Sequence, residues 1–69
     1  MTTGAEHLLG ECRAAGSGLA AVVERVLREE APYAVVPAAG VEAWRTREPG
    51  LWGKVVAWLD ERGVTLVQV

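Results

Sequence analysis

The segment Pro32-Tyr33-Ala34-Val35-Val36-Pro37 decides how this chain folds. Tyr33 to Val36 is too short for a helix, and its aromatic and β-branched side chains suit a strand. Pro32 stops the preceding helix, because the residue before a proline is pushed out of the α region. Pro37 ends the strand and fits the first turn of a helix that follows. A helix before it, a strand within it and a second helix after it are therefore predicted.

Working backwards, Leu19, Val22, Val23, Val26 and Leu27 recur at the spacing of one buried helical stripe. Glu24, Arg25, Arg28 and Glu29 fall on the other side, and Ala31-Pro32 ends the helix. Gly16-Ser17-Gly18 reads as a glycine C-cap followed by a new N-cap at Ser17. Ahead of it, Thr3-Gly4-Ala5-Glu6 fits a capping box, and Leu8, Leu9, Cys12 and Ala15 follow one helical face.

Working forwards, Ala38 to about Arg45 is a short helix weakened by Gly40. The next helix has Pro49 in its first turn and Gly63 where a terminating glycine belongs. Leu51, Trp52, Val55, Val56, Trp58 and Leu59 cover one broad face of it, with Gly53, Lys54, Ala57, Asp60 and Glu61 opposite. Val64-Thr65-Leu66-Val67-Gln68-Val69 reads as a terminal strand, apolar on both faces, which suits a strand covered on each side.

The order is α-α-β-α-α-β, an α/β (α+β) fold in one small domain spanning residues 1–69. A helical pair occupies residues 1–31 and a strand-helix-helix-strand unit residues 32–69. A tight hairpin is excluded by the residues between the strands, so a right-handed crossover placing them in parallel is the simplest solution. The expected core is Val22, Val26, Val35, Trp52, Val55, Leu59 and Leu66. Two short parallel strands make a poor sheet with an unpaired edge on each side. Those edges call for cover by the first helices, a second copy or another protein.

Composition narrows the function classes. At 69 residues and 51% hydrophobic content the chain holds one small core. Six arginines and one lysine against nine acids give a net charge of −2 with a pI near 5.2. That counts against a nucleic-acid grip through phosphates and equally against an acidic DNA mimic. Cys12 is the lone cysteine, so no intramolecular disulfide or cysteine-rich zinc site forms. The start has neither the basic residues nor the apolar run of a signal peptide, and no stretch approaches a bilayer span. The cytoplasm is the expected compartment, with no membrane partner. Arginine over lysine, and the absence of isoleucine, phenylalanine and asparagine, suggest a GC-rich genome, bacterial or phage.

No catalytic, cofactor-binding or metal-ligating constellation emerges. His7 and Cys12 fall on different sides of a helix, and His7 with Glu11 lacks the further ligands zinc needs. Gly16-Ser17-Gly18 has neither the length nor the lysine of a phosphate loop. The candidate partner-binding residues are Trp44, Arg45 and Arg47, an aromatic anchor joined to two arginines at a helix junction. The competing reading packs Trp44 under the last helix and pairs the arginines with Glu42 and Glu48. The expected function is a non-catalytic protein-interaction or accessory module with a protein partner or a second copy of itself. The alternative is a helix-turn-helix-like nucleic-acid-binding regulator, whose recognition helix would carry Lys54 beside Asp60 and Glu61. No small-molecule substrate or cofactor is implied.

Overall fold

A computed structural model describes residues 4–69, so the expected Thr3 cap lies outside the described residues. The elements are α1 (Gly4–Ala14), α2 (Leu19–Glu29), β1 (Tyr33–Val36), α3 (Ala38–Arg47), α4 (Pro49–Glu61) and β2 (Thr65–Gln68). The α-α-β-α-α-β order holds, and β1 and β2 pair in parallel with Tyr33 opposite Thr65 and Val36 opposite Gln68.

Local chemistry sets the helix ends. After α1, Gly16 adopts φ 65° while Ser17 N donates to Cys12 O and Gly16 N to Arg13 O. After α4, Gly63 adopts φ 71° while Val64 N donates to Leu59 O and Gly63 N to Asp60 O. Both are Schellman terminations, which need the left-handed residue glycine supplies. Ser17 then starts α2: its Oγ accepts from Leu19 N at 3.1 Å and donates to Glu48 at 3.0 Å. That second bond ties the α1–α2 turn to the α3–α4 junction.

The buried cluster is Leu8, Cys12, Leu19, Val23, Val26, Ala34, Val55 and Leu59. It joins α1, α2 and α4 to the inner face of β1. The α4 stripe is narrower than its sequence pattern: Val55 and Leu59 are buried, Leu51, Trp52 and Trp58 half-buried, and Val56 exposed. Trp44 of α3 stacks on Trp52 of α4 with ring centroids 5.9 Å apart, closing a seam at the periphery.

Three expectations are corrected. Val22 is half-buried and lies outside the buried cluster, on the shoulder of α2 rather than on its buried stripe. Val35 is 40% exposed and does not belong to the core, because alternation along β1 turns Ala34 and Val36 inward and Tyr33 and Val35 outward. The sheet is also covered on one face only. Tyr33, Val35, Val67 and Val69 are all exposed large hydrophobic residues. At 17 Å through its thinnest direction the Cα envelope holds a helical layer on a sheet and no third layer.

Candidate functional site

The site begins with the hydrogen-bond parity of β1. Thr65 N donates to Pro32 O, Val69 N to Val36 O and Ala38 N to Val69 O, each at 2.9–3.0 Å. With the register, these bonds direct the backbone groups of Ala34 and Val36 toward β2. The N–H and C=O groups of Tyr33 and Val35 therefore point the other way, along an edge that no described residue pairs. Beyond them Pro37 has no N–H, and its carbonyl accepts from Val41 N at 3.1 Å to open α3.

Helix α2 runs alongside that edge. Gly18, Ala21, Val22, Arg25, Val26 and Glu29 form one wall of a groove of about 420 Å³, and Tyr33 to Pro37 form the other. Trp44 closes one end. It is held by its stack on Trp52 and by close packing over Gly18 and Gly40, where an added Cβ would lie 3.5 Å and 3.4 Å from the indole. The wall residues are small toward the Trp44 end and charged toward the other, where Arg25 Nε donates to Glu29 at 2.9 Å.

The junction singled out by sequence is divided by the structure. Trp44 lines the groove. Arg45 lies outside the groove lining and reaches Glu42 at 4.0 Å on the exposed side of α3. Arg47 is exposed at the end of α3, outside the groove lining, and Glu48 accepts from Ser17. The residues that sequence reasoning missed are Arg25, Glu29 and the outward backbone of Tyr33 and Val35. Its signal was the incomplete two-stranded sheet; the identity of the wall depends on which shoulder of α2 faces β1.

The remaining polar chemistry is dispersed. Glu11 of α1 meets His7 at 3.8 Å and Lys54 of α4 at 3.2 Å, an exposed bridge between helices. Arg13 pairs with Glu24, and Arg62 lies 5.2 Å over the Trp58 ring. Cys12 is fully buried, and burial, with the nearby carboxylates of Glu11 and Glu48, pushes its thiol above the ordinary 9.0. Among the described residues no group of three or more histidine, cysteine, aspartate or glutamate side chains is placed to hold a metal ion. Nor is any helix among them long and apolar enough to cross a membrane.

No protein-family model matches the chain, and neither a curated protein nor a solved structure is similar enough to count as a match.

Proposed function

We propose that this chain is a small protein-interaction module of the cytoplasm, non-catalytic, that takes an extended polypeptide segment beside β1. The observation that carries this reading is the open β1 edge running beside α2. Adding a strand to an exposed sheet edge supplies main-chain hydrogen bonds for affinity and lets alternate side chains read the groove. A strand pair this short gains most from such an addition, since two strands alone are marginal in water.

A small-molecule site of similar volume would present a few convergent polar side chains. Here Arg25 and Glu29 satisfy each other at the rim, and the walls are otherwise apolar or backbone. The nucleic-acid alternative is weaker still. Five of the seven basic side chains are engaged within the molecule: Arg13, Arg25, Arg45 and Lys54 by carboxylates and Arg62 by Trp58. A phosphate track needs free cations along one face.

The test is an NMR titration of the labelled chain, first against its own concentration and then against blocked peptides alternating valine and threonine. The expected result is a response of the Tyr33 and Val35 amides together with Val22 and Arg25. Silence of all four in every titration rejects the interaction reading.

A further inference from the structure

We propose that the occupant of the groove is a second copy of this chain, with the two β1 strands antiparallel across a two-fold axis at Ala34. This rests on the reading of the α2–β1 groove as an interaction site, and names its partner.

Backbone chemistry selects the register. In an antiparallel pair, residues whose N–H and C=O face the partner exchange two hydrogen bonds with the residue opposite. A two-fold at Ala34 sets Tyr33 against the second copy's Val35, and Val35 against its Tyr33. Every outward N–H and C=O of both residues on both copies then finds a partner. A two-fold at Val35 would set Tyr33 against Pro37, which has no N–H and whose carbonyl already serves Val41. A two-fold at Tyr33 would set Val35 against Ala31, beyond the strand and across Pro32. The Ala34 register also places the smallest side chain of β1 on the axis, where opposed Cα atoms approach to about 4.5 Å.

The wall charges agree with the same axis. Antiparallel pairing about a two-fold keeps both helical layers on one side of the joined sheet and brings the two α2 helices side by side in opposite directions. Arg25 and Glu29 both face the groove, one turn apart. Val26, between them, lines the groove together with the axial Ala34. The reversal therefore faces Arg25 with the second copy's Glu29 and Glu29 with its Arg25. A two-fold interface must be self-complementary in this way. Gly18, Ala21 and Val22 leave the rest of the helix shoulder low enough for close approach. The outcome is a four-stranded sheet in the order β2-β1-β1-β2, whose outer face joins Tyr33, Val35, Val67 and Val69 of both copies.

The experiment is sedimentation equilibrium from low micromolar to millimolar, on the natural chain, the Arg25→Glu chain, the Glu29→Arg chain and an equimolar mixture of those two. The natural chain is expected to approach twice 7.4 kDa. The Arg25→Glu chain presents carboxylates to carboxylates and the Glu29→Arg chain guanidinia to guanidinia, so each alone self-associates at least about tenfold more weakly. Mixed, they restore both cross-axis pairs and associate with each other, which pairing within one chain cannot produce. A Val35→Pro chain removes one outward N–H while leaving the β1–β2 ladder intact, and is expected to stay monomeric. A natural chain that is monomeric throughout overturns the proposal, as does a dimer indifferent to the charge exchange. A monomer whose Tyr33 and Val35 amides respond to the valine-threonine peptides rejects the second copy and retains the interaction module; a monomer silent to them rejects both.

Discussion

Among the described residues three sit at positive φ, each just past a helix, and they are not chemically equal. Gly16 and Gly63 adopt the left-handed conformation without a Cβ, whereas Glu30, at φ 51°, closes α2 by donating its N–H to Val26 O and carries a side chain there. An L-residue held in that region is strained by about 1–2 kcal/mol, part of which glycine returns as lost chain entropy. Glu30→Gly is therefore expected to stabilise the fold by about 0.5–1 kcal/mol, and Gly63→Ala to destabilise it by about 1 kcal/mol. Urea titrations read both as opposite shifts of the midpoint at constant slope. Cys12 offers a second residue-level test. Its thiol is raised by burial first and by Glu11 and Glu48 after that, so the unfolded chain ionises earlier. The folded state then holds more protons than the unfolded one once the pH passes about 9, and stability falls from there as the pH rises through the folded-state value. Replacing Cys12 with alanine is expected to cost about 1 kcal/mol at neutral pH and to flatten that alkaline limb. Native Cys12 should also resist iodoacetamide until urea opens the core; equal rates in folded and unfolded chain would contradict its burial.

At the scale of elements, parity along β1 is what separates core from site. Val36 is 2% exposed and Val35 40%, though the two are chemically identical neighbours. Val36→Ala should destabilise by about 2 kcal/mol from lost burial and the cavity left behind, and Val35→Ala by less than about 0.5–1 kcal/mol. Equal effects in thermal or urea unfolding would mean the strand faces are assigned the wrong way round. This parity was not legible in the sequence, because Tyr-Ala-Val-Val offers an apolar residue to both faces and places alanine, not a larger side chain, inside. The helices were legible: Pro49 and Gly63 bracket α4, and Leu19, Val23 and Val26 trace the buried stripe of α2. What periodicity could not supply was the shoulder of α2. Arg25 and Glu29 read as solvated charge on the far side of the helix, and only the placement of β1 beside them makes them a groove wall. Trp44 was legible as an aromatic side chain at a helix junction, and its packing against Trp52 of the last helix follows the competing reading of that junction. Its contacts with Gly18 and Gly40, by contrast, come from tertiary structure.

At the scale of the whole molecule, the proposed dimer would make stability and association one quantity. A 69-residue chain with a two-stranded sheet covered on one face has a small core, so under the proposed pairing, binding energy at the β1 edge would be a large share of what keeps it folded. Mass action then ties the melting temperature to concentration: a dimer that unfolds to separate chains melts higher when concentrated. With an unfolding enthalpy near 0.7 kcal/mol per residue, two chains give about 100 kcal/mol, and each tenfold rise in concentration should lift Tm by about 5 °C. The Arg25→Glu chain, whose groove wall repels its own copy, is expected to melt lower and with a Tm nearly independent of concentration. Added salt should narrow the gap between them, because the opposed Arg25 and Glu29 side chains remain partly solvated at 60% and 46% exposure and are screened. Scanning calorimetry over a hundredfold concentration range measures all three. A concentration-independent Tm for the natural chain would mean that its small core suffices alone and that the open edge contributes nothing to its own folding.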